Sequence, residues 1–177
     1  LLQGQVEYFW SGGDRFQGEF EDDLPHGNGT YFWVDGRIYE GNFEYGTRAG
    51  FGTLSWANGD KYKGMFKEND MYGRGLFVWS DGSTYEGEFK NGKVEGNGKI
   101  TFADGSSGRP RQEGTFSERK LMTGGKQQTA VNQAKEAKTA ADAKAKAAQE
   151  LKSEERLHWP HLICPTTQRP LVVGDAP

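Results

Sequence analysis

Hydrophobic and polar residues alternate along short stretches of this chain. In the segment YEGNF (39–43), two aromatic residues and a glycine occupy every second position, and the segment GFGTLSW (50–56) alternates in the same way. A period of two is typical of a β-strand with one buried and one exposed face. Each segment therefore predicts one short strand.

This pair of strands recurs every 23 residues. The columns of large rings are Phe16, Tyr39, Tyr62 and Tyr85, then Phe20, Phe43, Phe66 and Phe89, then Trp10, Trp33, Trp56, Trp79 and Phe102. Several columns of glycine keep the same step. A fixed period over so many positions indicates a repeat architecture. The first unit is incomplete, and Leu1 in place of Met indicates that the sequence begins inside a longer protein.

Turn-forming residues separate the strands. Gly46 aligns with Asp23, Asn69 and Gly92, which are residue types that accept a positive φ. The next connection carries Asn-Gly at 58–59 and Asp-Gly in the other units, which predicts a two-residue hairpin turn. If every connection is a hairpin, all strand pairs are antiparallel. We therefore expect a mainly β fold, a single-layer curved meander of about ten strands.

One face of this sheet carries both the glycines and the large rings. Because glycine leaves a gap beside each ring, rings from neighbouring repeats are expected to lie across the backbone, and the sheet is expected to curl around them. A trough lined with aromatic side chains suits peptide capture, although such rings are equally typical of a hydrophobic core. The residues predicted to line this trough are Tyr31, Trp33, Tyr39, Phe43, Leu54, Trp56, Tyr62, Phe66, Phe77, Trp79, Tyr85 and Phe89.

The repeated pattern Y-x-G-x-F-x-x-G-x-x-x-G-x-G-x-x-x-x-x-D-G resembles the MORN repeat, a β-hairpin unit. Residues 85–105 match it closely, and the resemblance covers about residues 4–121. The close of the array, DGSSGRPRQEGTFSERKL (104–121), followed by an Ala/Lys-rich segment, looks like the retinophilin-type small MORN proteins. The histidine usual before the paired glycines occurs only at His26.

The resemblance implies a function and a location. Retinophilin-type proteins bind the tails of class III myosins in photoreceptors or actin-based protrusions. The resemblance therefore implies a non-enzymatic adaptor without a cofactor, located in the cytoplasm and associated with the cytoskeleton. Two alternatives stay open: a phosphoinositide- or membrane-associating module, and an accessory domain of a larger enzyme. A homodimer joined at exposed edge strands is compatible with each of them.

The charge distribution disfavours nucleic acid as a partner. Residues 1–125 carry 14 Lys and Arg against 19 Asp and Glu, whereas residues 126–177 carry 8 against 6. Nucleic acids and anionic lipids require a basic surface on their partner. The acidic body therefore predicts no nucleic-acid binding and gives membrane association only weak support.

Few residues of the sequence suggest a nucleotide, metal or catalytic site. The GNG and GFG segments lack the third glycine and the following helix that a nucleotide-binding loop requires. Cys164, with two nearby histidines, lies in a Pro-rich segment without rigid metal geometry, so no metal site is expected. Acidic strand residues such as Glu40, Glu86 and Glu88 are expected on a solvated face of the sheet. We expect no catalytic residues.

The composition changes after residue 125. From Gln128 to Arg156 the chain is rich in Ala, Lys, Glu and Gln without Gly or Pro, which predicts a helix with Thr129 as N-cap. Its alanines recur every three or four residues and form a narrow stripe. Such a helix is expected to be solvated, to form a weak coiled coil, or to lie along the trough or across its open end. The predicted organisation is a repeat array at 4–121, a linker at 122–127, a helix at 128–156 and a Pro-rich, disordered tail at 157–177.

Overall fold

The structure, a computed structural model, describes residues 3–103, 111–158 and 172–173. Eleven consecutive antiparallel strands form one open sheet in sequence order. They are β1 Gly4–Trp10, β2 Arg15–Glu21, β3 Leu24–Phe32, β4 Ile38–Glu44, β5 Thr47–Ser55, β6 Lys61–Lys67, β7 Asp70–Val78, β8 Thr84–Lys90, β9 Lys93–Thr101, β10 Arg111–Ser117 and β11 Lys120–Gly124. The predicted single-layer meander is confirmed, with eleven strands instead of about ten.

One helix, α1 Gln128–His158, follows the sheet. The residues between β11 and α1 are 125–127, fewer than the predicted linker at 122–127. Most of the predicted tail lies outside the described residues. Within it, a short strand β12 Val172–Val173 pairs in parallel with β1.

Helix α1 begins at Gln128, as predicted, but its N-cap lies two residues before the predicted one and is tied to the sheet. The N–H of Val131 donates to the carbonyl of Gln127 at 3.0 Å, so Gln127 precedes the first helical turn. The prediction of Thr129 as N-cap is therefore wrong. The N–H of Gln127 donates to a carboxylate oxygen of Glu113 on β10. This contact determines where the helix leaves the array.

Within each unit, a tight turn joins the two strands. Both of its residues have positive φ, as at Tyr45 (46°) and Gly46 (84°). Positive φ at both central residues is the requirement of a type I′ turn, which matches the twist of the flanking strands. The prediction of positive φ is confirmed at the equivalent second positions, Asp23, Asn69 and Gly92.

The Asp-Gly connection between units has a different geometry. The N–H of Gly36 donates to the carbonyl of Trp33, and the N–H of Trp33 donates to the carbonyl of Arg37. Gly36 has a φ of 92°, whereas Asp35 has no positive φ. The predicted two-residue turn is therefore wrong: residues 34–36 form a three-residue loop whose last residue is a left-handed glycine. The equivalent pair at 104–105 lies outside the described residues.

In three hairpins, β4–β5, β6–β7 and β8–β9, a β-bulge lies beside a hydrogen-bonded tyrosine. In β4 and β5, Gly41 pairs with Gly52 and Phe43 with Arg48, so one residue of β4, Asn42, faces three of β5. A bulge locally interrupts the ladder of hydrogen bonds. The carbonyl of Asn42 instead accepts a hydrogen bond from the hydroxyl of Tyr39 at 2.8 Å. Tyr62 and Tyr85 repeat this bond with Met65 and Glu88.

The rings cover the glycines of their own hairpin. A Cβ on Gly98 would come within 2.5 Å of the ring of Tyr85, and a Cβ on Gly87 within 2.6 Å of the Tyr85 hydroxyl. The neighbouring unit contributes Phe116, whose ring packs edge-on against Tyr85. The expectation that neighbouring rings lie across the backbone is corrected: each unit covers its own glycine pair, and the neighbour packs on that ring.

Candidate functional site

A continuous ladder of rings forms the core on the aromatic face, which is the sheet face that bears Tyr39 and Phe43. The ring centroid of Tyr39 lies 5.1 Å from that of Phe43 in the same unit and 4.9 Å from that of Phe66 in the next. Edge-to-face packing of this kind is favoured by the ring quadrupoles. The ladder consists of Phe20, Phe16, Phe43, Tyr39, Phe66, Tyr62, Phe89, Tyr85 and Phe116, none more than 5% exposed.

The predicted trough residues fall into two groups. Those buried in the core are Tyr39, Phe43, Leu54, Tyr62, Phe66, Tyr85 and Phe89. Those half-buried on the same face are Tyr31, Trp33, Trp56, Phe77 and Trp79. Trp10 and Phe102 are also half-buried against this core, and we call these seven half-buried rings the outer row. Of the predicted residues, only those in the outer row offer ring surface to a partner, and their role in binding stays a prediction.

The outer row is held in fixed contacts. Tyr31 lies between Trp10 and Trp33, with centroid distances of 5.1 and 4.5 Å. The hydroxyl of Tyr31 donates to a carboxylate oxygen of Asp14 at 2.8 Å. Burial and this hydrogen bond raise the pKa of Tyr31 well above its usual value, so the phenol stays neutral at physiological pH. Ring packing and a hydrogen bond thus hold Tyr31 in place within the outer row.

Three arginines approach the outer row, and none of them was predicted. Arg37, 4.8 Å from the ring centroid of Trp33, is paired with Asp35, and the other two are Arg48 and Arg119. The Cζ atom of Arg48 lies 5.0 Å from the ring centroid of Trp33, and that of Arg119 lies 3.7 Å from the ring centroid of Trp79. A guanidinium over an indole is a favourable cation–π contact. The outer row thus combines apolar rings with positive charge.

The sequence contains a signal for one of these arginines. The positions equivalent to Arg48 in other units hold Pro25, Met71 and Val94. Arg48 is therefore a charged residue in an otherwise apolar column of the aromatic face. No comparable signal exists for Arg119, because its position in the turn is occupied by polar residues or glycine in the other units.

A cleft opens beside the outer row, near the last hairpins. Its volume is about 350 Å³. Its apolar walls are rings and aliphatic side chains, and its rim is charged. The lining residues include Met71, Phe77, Trp79, Val94, Lys93 and Arg119. An apolar cleft with a few charged groups at its rim suits a hydrophobic side chain of a peptide.

Helix α1 covers the opposite face of the sheet. Lys63 alternates with the ring-bearing positions of β6, and its Nζ lies 2.6 Å from Asp142 of α1. Gln149, further along α1, donates to Glu40 on β4 at 3.0 Å. The helix therefore crosses the strands from β10 back towards the N-terminal end of the array. We call this the helix face.

The alanine stripe makes this packing close. Ala134, Ala141 and Ala148 are completely buried, one on every second turn of α1. Small side chains allow the helix backbone to approach the sheet closely. The expectations of a solvated helix or a coiled coil, and of a helix along the trough or across its open end, are all wrong. The helix leaves the aromatic face uncovered.

The acidic strand residues lie beneath this helix. Glu86 pairs with Lys99 at 2.9 Å, with side chains 17% and 18% exposed, and Glu88 pairs with Arg74 at 2.7 Å. These glutamates do face away from the rings, as expected. The prediction of a solvated face is wrong, because α1 and neighbouring cations shield them. The charges of the helix face are therefore largely neutralised within the chain.

Neither a cluster of metal ligands nor a membrane-spanning helix occurs among the described residues. Within residues 3–103, 111–158 and 172–173, no three His, Cys, Asp or Glu side chains are placed to hold a metal ion. Cys164 lies outside this part of the chain. In the described part of the chain, no helix has the length and hydrophobicity of a membrane span.

The hairpin units, their glycine pairs and their ring ladder indicate one repeat family. The family model of the MORN repeat matches residues 16–36, 39–61, 62–84 and 85–107, just over half of the chain. The chain belongs to the MORN-repeat family. MORN repeats are generally non-catalytic and serve as protein-interaction or membrane-association modules. In this MORN protein the hairpin β10–β11 extends the sheet beyond the matched repeats. No curated protein matches the chain.

Proposed function

We propose that this MORN protein is a non-enzymatic adaptor that binds a peptide segment of a protein partner on its outer row. The observation that carries the proposal is the position of α1. The helix buries the opposite face and leaves seven half-buried rings accessible along one side of the sheet. Ordered aromatic side chains are the commonest energetic anchors in protein interfaces.

For the partner we propose the tail of a class III unconventional myosin. This step rests on the resemblance of residues 104–121 and the following helix to retinophilin-type MORN proteins. The adaptor would then lie in the cytoplasm on the actin cytoskeleton, in protrusions or rhabdomere-like structures. Membrane binding is a weaker candidate, because cations such as Lys63, Arg74 and Lys99 are engaged in ion pairs within the chain.

Calorimetric titration with fragments of class III myosin tails tests this proposal. Trp56→Ala and Trp79→Ala each remove one outer-row ring and should weaken binding by about tenfold or more. Phe9→Ala serves as a matched control, because Phe9 is an exposed ring (40%) whose neighbours Tyr8 and Trp10 point to the aromatic face. Full affinity in both tryptophan variants would show that the outer row is not the binding surface. Absence of binding to the wild type would reject the myosin partner.

A further inference from the structure

The surroundings of Arg48 are unusual for a charged side chain. Its Cζ atom lies 5.0 Å from the ring centroid of Trp33, 5.9 Å from Tyr39 and 6.0 Å from Phe66. Its Nη2 donates to the backbone carbonyl of Asn69 at 2.6 Å, which directs the guanidinium across the aromatic face. Arg48 is thus a fixed positive charge within an apolar surface.

The charge of Asp70 acts on this guanidinium, but Asp70 forms no ion pair with it in the part of the chain that the structure describes. No carboxylate there forms an ion pair with Arg48, and its Nε is buried without a hydrogen-bond acceptor. Burial lowers the pKa of the guanidinium, which nevertheless remains protonated in proteins. Arg15 provides a contrast: its guanidinium also lies over a ring, Phe32, but it is paired with Glu7 at 3.2 Å.

An unpaired, partly desolvated guanidinium is unfavourable for the isolated protein. The equivalent residue in the next unit, Met71, shows that the array accepts an apolar side chain at this position. An apolar side chain would therefore fill this position, and the arginine adds a charge that its ring contacts and its hydrogen bond to Asn69 leave without an ion pair. A carboxylate supplied by a ligand would pair with the Nη groups of the guanidinium, and the low polarity of the surrounding rings would strengthen that contact.

We propose that Arg48 selects partner peptides by binding an acidic side chain flanked by apolar residues. The inference rests on the proposed peptide-binding function and adds the chemistry of the ligand. The apolar neighbours of that acidic residue would pack on Trp33 and the other outer-row rings. Charge complementarity fixes the register of a bound segment, and removing one partner of a close charge pair also weakens binding.

Arg119 places a second positive charge along the same face. It lies over Trp79, which follows β7, whereas Arg48 lies near Trp33, which follows β3. Four strand spacings separate these tryptophans, or about 19 Å. An extended peptide spans that distance with about six residues. The preferred ligand is therefore an extended segment with two acidic residues about six positions apart.

Selection from a random twelve-residue peptide library displayed on phage tests the inference on the full chain. The wild type should enrich peptides with Asp or Glu between apolar residues. Arg48→Met should lose this enrichment and bind the selected peptides about 10- to 100-fold more weakly, as expected for a hydrogen bond to a charged group. Its melting temperature should be unchanged or higher, which separates lost recognition from lost folding. Arg15→Met, the matched control on the helix face, should select like the wild type.

The outcomes separate this inference from the function on which it rests. If the wild type enriches peptides without acidic residues, or Arg48→Met keeps the acidic preference, the role of Arg48 is wrong while peptide binding stands. If the wild type enriches no peptide, both are wrong. A final arm uses phosphatidylcholine vesicles containing phosphatidylinositol 4,5-bisphosphate. Arg48-dependent binding to these vesicles, without peptide selection, would assign the guanidinium to a lipid headgroup and overturn the inference.

Discussion

The ring of Tyr39 lies directly over Gly52, across the hairpin formed by β4 and β5. A Cβ on Gly52 would come within 2.4 Å of the Tyr39 hydroxyl oxygen and 2.5 Å of its ring carbons. Tyr39 is fully buried and its hydroxyl is held by the carbonyl of Asn42, so the ring has no room to move. Gly52 has no positive φ, and its role is to leave space rather than to permit an unusual backbone conformation.

Gly52→Ala should therefore lower the free energy of unfolding by about 1–3 kcal/mol, the usual cost of overpacking a core. Gly12→Ala is the matched control, because a Cβ at Gly12 would meet nothing within 4 Å. Urea denaturation followed by tryptophan fluorescence measures both variants. Equal midpoints for the two would show that the Tyr39–Gly52 contact tolerates a methyl group.

The helix packing makes a second prediction. Ala141 is completely buried against the sheet, whereas Ala143 is exposed on the same helix. Ala141→Leu should push α1 away from the helix face and destabilise the chain by about 1–3 kcal/mol, and Ala143→Leu should change little. Because α1 lies opposite the outer row, neither variant should alter peptide affinity while the protein is folded. A large loss of affinity in Ala141→Leu would place the helix in the binding site after all.

The ion pairs of Asp142 predict a small dependence of stability on pH. Burial raises the pKa of Asp142, but the hydrogen bonds from Lys138 and Lys63 outweigh it and the net shift is downward. A lowered pKa stabilises the fold above the unfolded value, near 3.9. That contribution is lost as the pH falls through the folded value.

Asp142→Asn should therefore be less stable than the wild type at pH 7, by below about 1 kcal/mol because the carboxylate is partly solvated. The difference should shrink as the pH falls below about 4. Thermal melting of both proteins between pH 7 and pH 2 measures it. A gap that is constant over this range would mean that the Asp142 charge makes no contribution.

The type I′ turns predict a stabilising substitution. Tyr45 holds a φ of 46° although its side chain is 66% exposed, and Asn91 occupies the equivalent position in a later unit. Because Asn adopts left-handed conformations more readily than Tyr, Tyr45→Asn should stabilise the chain by about 0.5–1 kcal/mol. Tyr72→Asn, at an exposed strand position without positive φ, should not. A lower melting temperature for Tyr45→Asn than for the wild type would contradict this account of the turn.

Much of the array could be predicted from the sequence because each strand has a strict local pattern. The period of 23 residues defines the hairpins, and the alternation around Tyr39 defines which side chains share a face. The turn geometry was harder. Asp-Gly favours a tight turn in isolation, but the chain places its type I′ turn at Tyr45–Gly46 and uses Gly36 to close a longer loop. The dipeptide alone therefore does not distinguish the two turn types.

The site could be predicted only in part, because it depends on contacts between distant segments. An alanine stripe is compatible with either face of the sheet, and polar partners such as Lys63 on the helix face determine which face α1 covers. The separation of buried rings from half-buried rings depends on the bulge and on the inward position of Tyr39. The contact of Arg48 with Trp33 likewise depends on side-chain conformation. The sequence shows only that Arg48 is a charged residue in an otherwise apolar column.

The most direct test of the central claim is a ¹H–¹⁵N NMR titration with a class III myosin tail fragment, following indole and backbone N–H signals together. If the aromatic face is the binding surface, the indole signals of Trp33, Trp56 and Trp79 should shift with the fragment. The backbone amides of α1 around Ala134 and Ala141 should stay in place. Shifts concentrated in α1, with the three indole signals unchanged, would contradict the account.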